Sequence, residues 1–335
     1  MRFTAKCFAR GVACLTLVFV TLWSCLSLTA TAPAEGDVAG AREYVINSLY
    51  AMSEEINIEG FNINKSELLT VYTEILKNNP YLFFVGTSVG YRADSEGKIL
   101  SLYPNYTMTA EEYEAARLFC ERQISSALTL TVYLDSEAEK AQYIHDWLCL
   151  NFSYDESLLC DNMYLFLKEG RGTCQGYTYT YMEMLRAVGI ECSFAASDSM
   201  AHIWNIVKIE GEWYHVDVTW DDYPEIFASL EYASFLKSDT GIKETAHTDW
   251  YSPNDILCVS EKYSDTDFAC PFLSFTGTGD VNCDGVADVL DLVLCELDRD
   301  KLPVNTGFLN IAADVDGDYA LTDADRLLIR KRILD

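Results

Sequence analysis

The sequence predicts an α+β protein in which helices pack on an antiparallel sheet, followed by a small all-α module built from a duplicated loop and helix. Three observations predict it. Segments ahead of residue 136 repeat apolar residues at helical spacing. HIWNIVKI and EWYHVDVTW alternate apolar and polar residues on either side of Glu210 and Gly211. GDVNCDGVADVLDL then near-repeats as ADVDGDYALTDADR, with Asp280 and Asp314 34 residues apart.

At the start of the chain, Arg2, Lys6 and Arg10 flank the apolar run GVACLTLVFVTLW, and no charge follows until Glu35. With the small residues TATAPA behind it, this is a secretory signal over residues 1–34, cut after Ala32 or Ala34. LWSC, ending at Cys25, faintly resembles a lipoprotein cleavage box, and an uncleaved run would be a single membrane anchor. The bulky Trp23 and the small-residue tail favour ordinary cleavage and a secreted, extracellular protein with no membrane attachment. No other stretch is apolar enough to span a bilayer.

Cleavage leaves 21 basic residues against 52 acidic ones, a net charge of −31. Such acidity argues against nucleic acid or an anionic membrane as partner and favours an exported protein or a binder of divalent cations. Of 12 cysteines, Cys7, Cys14 and Cys25 leave with the signal, and the remaining nine are an odd number. At least one thiol is therefore unpaired within a monomer, and the sequence fixes no pairing.

The mature length exceeds one average domain. Residues 35–135 read as a mostly helical N-terminal part, with a hairpin about the polar turn DSEGK. Thr109 with Glu112 and Ser136 with Glu139 are capping boxes, each opening a helix. Residues 136–263 form the core, where His145 reads as a packed or hydrogen-bonded histidine. Residues 264–277 read as a linker to the module at 278–335, since the glycines and threonines of SDTDFACPFLSFTGTG suit a short connection.

Cys174 opens a helix whose stripe Tyr177, Tyr181, Met184, Leu185 and Val188 is apolar. A thiol at a helix start lies near unpaired amides and the positive end of the dipole, which favours its thiolate; Gly172 and Gly176 leave room for a substrate backbone. A base is still required. If the hairpin turns on Glu210 and Gly211 alone, facing residue numbers sum to 421 and His202 lies diagonally from Asp217 on one face. His215 shares that face and competes on geometry alone.

GRGTCQGY, AHIWNIV and GEWYHVDVTWDD, with IHDWLCLNFSYD before and YASFLKSDTGIKETAHTDW after, resemble the transglutaminase-like superfamily, whose fold is related to papain-type cysteine proteases. The resemblance covers about residues 140 to 250 and implies Cys174 as nucleophile, His202 as base and Asp217 as the residue that orients the histidine. It implies acyl transfer or hydrolysis at protein or peptide amides through a thioester, with no cofactor for catalysis. The Cys174 backbone N–H is one expected oxyanion donor. His247 and Trp250 also match the family pattern and are read as stabilising the fold.

The acidic repeats place oxygen ligands at the spacing of twelve-residue calcium loops. The first offers Asp280, Asn282, Asp284, the Val286 carbonyl, Asp288 and Asp291, with Gly285 at the turn; the second offers Asp314, Asp316, Asp318, the Ala320 carbonyl, Thr322 and Asp325, with Tyr319 where glycine is usual. Two Ca2+ ions are expected, to offset the mutual repulsion of the ligand carboxylates. The duplicated loop-then-helix over about 278–335 resembles a type I dockerin, which implies a cohesin domain of a cellulosomal scaffoldin as partner. The matching contact positions are Val289, Leu290, Asp323, Ala324, Lys331 and Arg332. The expectation is a secreted, cellulosome-attached cysteine acyltransferase or hydrolase; the alternatives are a peptidase of the same fold, or a catalytically silent domain that binds peptide or carbohydrate.

Overall fold

The computed structural model describes residues 38–222, 232–270, 277–281, 286–299, 312–317 and 322–334. The expected signal, residues 1–34, and the loop residues Asn282, Asp284, Gly285, Asp318, Tyr319 and Ala320 lie outside the described residues. The chain divides into two units, one running to Tyr72 and including Ser88–Asn105, the other made of Thr73–Thr87 and the described residues from Tyr106 onward.

In the first unit, α1 (Val38–Tyr50) buries Ala41, Val45 and Leu49, which the four-residue spacing places on one face. Short β1 (Ile56–Asn57) pairs antiparallel with β3 (Ile99–Tyr106), Ile56 opposite Leu102, and β2 (Val85–Ala93) lies on the far side of β3. The DSEGK turn forms because Asp94 Oδ1 accepts from the amides of Glu96 and Lys98, while Gly97 takes a left-handed φ of 85°. Helix α2 (Lys65–Asn78) starts here, Asn64 capping the amides of Ser66 and Glu67.

The second unit carries the larger core. Helices α3 (Ala110–Ala127) and α4 (Glu137–Asn151) open with the two expected capping boxes, both complete. Every residue of α4 from Tyr143 to Leu150 is buried, so this helix is enclosed rather than amphipathic. Strand β4 (Ser153–Tyr154), α5 (Met163–Glu169) and β5 (Arg171–Gly172) follow, β4 and β5 pairing in parallel, and lead into α6 (Cys174–Ala187).

Behind α6 stands a four-stranded antiparallel sheet, β6 (Cys192–Ser197), β7 (His202–Ile209), β8 (Glu212–Val216) and β9 (Phe235–Lys237), in sequence order. Glu210 and Gly211 both have positive φ, 53° and 90°, as a two-residue hairpin turn demands. Ile209 therefore faces Glu212 and Asn205 faces Val216. On one face Ile203, Val207, Tyr214 and Val216 join α4 and α6 in the main core. On the other, Trp204, Ile206 and Ala195 pack with Cys258, Trp213, Trp250 and Ile256. Both faces carry a core, so the buried polar side chains of this sheet need protein partners.

After β8 come α7 (Val218–Asp221) and α8 (Asp239–Glu244). The stretch expected as a linker is anchored as far as Cys270: Phe268 packs edge-on against Phe235, and Gln142 Nε2 donates to Ala269 O. The C-terminal module holds α9 (Val289–Arg299) and α10 (Asp323–Leu334) around Val281, Cys295, Ala313 and Ile329. Val281 with Val315, and Cys295 with Ile329, are equivalent positions of the 34-residue repeat, so the duplication seen in sequence builds one shared core.

Candidate active site

Two ties fix the turn that carries Cys174 into α6. Asp155 N donates to Gly172 O and Thr173 N donates to Cys160 O, both at 2.9 Å. The glycines on either side answer to packing and not to substrate. An added Cβ would stand 2.3 Å from the Phe166 ring at Gly172 and 2.7 Å from it at Gly176. Phe166, wholly buried and stacked on Phe152, has nowhere to go, which corrects the expectation that these glycines clear space for a ligand.

Cys174 is the first helical residue and is partly exposed. One turn on, Thr178 Oγ1 donates to Ile203 O at 3.0 Å, and Asn205 Nδ2 donates back to Thr178 O at 3.0 Å. These bonds fasten α6 to the start of β7 one turn beyond Cys174 and one residue beyond His202. The thiol and the imidazole are thereby brought to the same helix–strand junction, where the Cys174 side chain is one of the groups that raise the His202 pKa.

Asp217 follows β8 and caps α7, its Oδ1 accepting from the amides of Thr219 at 3.0 Å and Trp220 at 3.3 Å. Its Oδ2 takes His202 Nε2 at 2.6 Å. An ionised carboxylate only accepts, so Nε2 carries the proton and Nδ1 is left for the thiol. The tie between His202 and His215 is thereby resolved. His215 Nδ1 accepts from Trp204 Nε1 at 3.0 Å and its Nε2 meets Asp239 Oδ1 at 2.9 Å, and burial pushes its pKa down. Burial acts the same way on His202, but the Asp217 charge and hydrogen bond, with the Cys174 contact, outweigh it and lift His202 to about 10. Burial pushes Asp217 up, and the His202 charge with hydrogen bonds from both histidines hold it down to about 2.

Below Asp217, α7 is itself tied down. His145 is wholly buried in α4, its Nδ1 3.0 Å from Asp146 Oδ1 and its Nε2 3.3 Å from Asp221 Oδ2. Asp221 also accepts from Ser234 N at 2.9 Å, and Asp217 N donates to Ser234 O at 3.0 Å. His145 thus serves the fold that positions Asp217. The sequence reading missed a closer relation: His247, also buried, sets its Nε2 2.8 Å from the same Asp217 Oδ2. Its place in AHTDW was the available signal.

A thiol at a helix start, an imidazole on it and a carboxylate behind the imidazole can perform nucleophilic acyl chemistry. Residues 125–218, which include Cys174, His202 and Asp217, match the family model of the transglutaminase-like superfamily. The chain carries a transglutaminase-like domain. A mouse relative, kyphoscoliosis peptidase, is 28% identical over 105 residues, covering 25% of this chain and 16% of that protein. The chain thus matches about a sixth of that relative's length. Solved structures similar to it include a TGase (13% identity, 49% of this chain and 51% of that one, TM-score 0.29). Another is a proposed cysteine protease of Cytophaga hutchinsonii (12% identity, 39% of this chain and 61% of that one, TM-score 0.27).

Beyond the transglutaminase-like domain, the described loop residues gather around the twelfth position of each repeat. Asp291 Oδ1 accepts from Val281 N at 2.6 Å and Oδ2 from Asp288 N at 2.7 Å. Asp325 Oδ1 accepts from Val315 N at 2.9 Å and Oδ2 from Thr322 N at 2.8 Å. Burial raises the Asp325 pKa, but these amides outweigh it and lower it. Asp314, Asp316 and Asp325 each offer a carboxylate oxygen within 4.8 Å of the others, a hard-oxygen set that fits a calcium ion. Val289, Leu290, Asp323, Ala324, Lys331 and Arg332 are all exposed.

Proposed function

We propose that the transglutaminase-like domain is a cysteine acyltransferase or hydrolase acting on protein or peptide amides. The observation that carries this is the 2.6 Å contact of His202 Nε2 with Asp217, with the Cys174 side chain acting on the same ring. The Cys174 thiolate attacks the amide carbonyl, His202 gives its proton to the departing nitrogen, and the C–N bond breaks as a thioester forms. Water or a primary amine then attacks the thioester. His202 takes that nucleophile's proton, the C–S bond breaks, and the thiolate is restored. The Cys174 amide, at the first helical position and without an intrahelical acceptor, faces the developing oxyanion.

The C-terminal module binds two Ca2+ ions in this reading. Asp280, Asn282, Asp284, the Val286 carbonyl, Asp288 and Asp291 hold the first; Asp314, Asp316, Asp318, the Ala320 carbonyl, Thr322 and Asp325 hold the second. The module works as a dockerin, docking a scaffoldin cohesin through Val289, Leu290, Asp323, Ala324, Lys331 and Arg332, so the enzyme is secreted and cellulosome-attached. Support comes from the shared core of the repeat and the clustered carboxylates of its second loop.

The test is the rate of iodoacetamide alkylation at Cys174, located by peptide mapping, in the wild type and His202→Ala. At pH 6 the wild type should react faster by about tenfold or more, since only its thiol has a paired imidazole. Equal rates, or an inert Cys174, overturn the reading. Incubation with amide peptides, with and without an added alkylamine, then separates transfer from hydrolysis by product mass.

A further inference from the structure

Asp217 holds four donors. The amides of Thr219 and Trp220 occupy Oδ1, and two imidazoles, His202 and His247, share Oδ2 at 2.6 and 2.8 Å. The carboxylate is 1% exposed, so water cannot replace a donor that is lost. His247 is fully buried and is fixed from both ends: its Nε2 faces Asp217, and its Nδ1 meets Thr245 Oγ1 at 2.9 Å, just past the end of α8. Because the ionised carboxylate only accepts, His247 Nε2 must carry a proton, and the Thr245 hydroxyl that meets Nδ1 is itself held by donating to Ile242 O at 2.7 Å. The ring also touches aromatic neighbours, with its centroid 4.1 Å from Trp220 and 4.7 Å edge-on from Trp204. Those ring contacts would serve packing alone; the aimed N–H serves Asp217.

We propose that His247 is a positioning residue for the acyl-transfer site: its Nε2–H clamps Asp217 Oδ2, so that the carboxylate lies in line with His202. The inference rests on the cysteine acyl-transfer reading above. His247 touches neither the thiol nor the reacting carbonyl and acts only through Asp217. A carboxylate oxygen with a single donor can swing toward it and carry the imidazole with it; a second donor on the same oxygen fixes the direction in which His202 is held. The hydrogen-bond contribution of His247 is among the causes that keep Asp217 ionised in a buried place. The match to the transglutaminase-like family model ends at residue 218, so His247 lies outside the matched stretch.

Packing and hydrogen bonding are separated by two substitutions in the full chain. His247→Phe keeps an aromatic ring between Trp204 and Trp220 and removes the N–H. His247→Gln removes the ring and keeps an amide N–H within reach of Asp217. Cys174 alkylation by iodoacetamide at pH 7 is followed together with the thermal unfolding midpoint. His247→Phe should slow alkylation by about tenfold, the size of one hydrogen bond to a charged group, while His247→Gln recovers most of the rate. Thr245→Val, which leaves the ring in place, frees its Nδ1 end and removes the Thr245 bond to Ile242 O, should slow it by about threefold. A His247→Phe rate equal to wild type, or equal loss in Phe and Gln variants, overturns the inference while wild-type Cys174 remains reactive. A wild-type Cys174 that does not react overturns the acyl-transfer reading itself, and this inference with it. If His247→Phe does not fold, Thr245→Val decides: an unchanged rate there overturns the inference.

Discussion

His202 Nε2 lies 2.6 Å from Asp217 Oδ2, although 15 residues and a hairpin separate them in the chain. The contact exists because the turn at Glu210 and Gly211 has two residues, which fixes the strand register, and because Asp217 leaves the strand to cap α7. Replacing Asp217 with Asn tests what the charge does there. An Asn Oδ1 can still cap α7, so the fold should survive, but the amide no longer holds His202 in its imidazolium form. Amide turnover should fall by about 10³-fold or more and Cys174 alkylation by about tenfold, with little change in circular dichroism.

Stability should depend on pH through the same pair. His202 is raised to about 10, so its contribution is fully present below the unfolded histidine value of about 6.5 and fades as pH climbs through 10. Asp217 is lowered to about 2, so its contribution is present above about 3.9 and fades as pH falls through 2. Urea midpoints measured from pH 2 to 10 should show a plateau from about pH 4 to 6.5, and His202→Gln should lose most of the decline on the alkaline side.

The glycines around Cys174 should be intolerant for a packing reason. Gly172→Ala places a methyl 2.3 Å from Phe166, and we expect a loss of about 1–3 kcal/mol by urea denaturation. Phe166→Leu in the same chain should return part of that loss, giving a favourable coupling in a double-mutant cycle. Additive effects would show that Phe166 is not the obstacle.

Calcium should stabilise the C-terminal module. Titration with Ca2+ should raise the thermal midpoint of the α9–α10 core by several degrees, and EDTA should reverse it. Asp325→Ala should abolish the response of the second loop. It should also loosen that loop without calcium, because Asp325 holds the amides of Val315 and Thr322. An unchanged midpoint across the titration would remove the metal from the account.

Much of this site was written in local pattern. The capping boxes at Thr109 and Ser136 formed because they need only residues three apart. The hairpin register followed from a two-residue turn, and the 34-residue repeat announced its own symmetry, for the same reason of short range. What was not local was not legible. His202 and His215 lie on one face of the sheet, and strand parity could not rank them. Trp204 and Asp239, brought in from the neighbouring strand and from α8, are what occupy His215. Gly172 and Gly176 seemed to be clearances for a ligand until Phe166 filled the space.

By itself, then, the sequence determined which residue types could form a thiol, imidazole and carboxylate set, because helix starts and strand alternation are properties of neighbouring residues. The family resemblance had implied His202; only the tertiary structure decided that Trp204 and Asp239 occupy His215, and that His247, 30 residues further on, shares the Asp217 oxygen with His202. A buried carboxylate must find its donors wherever folding brings them, and no periodicity records that distance.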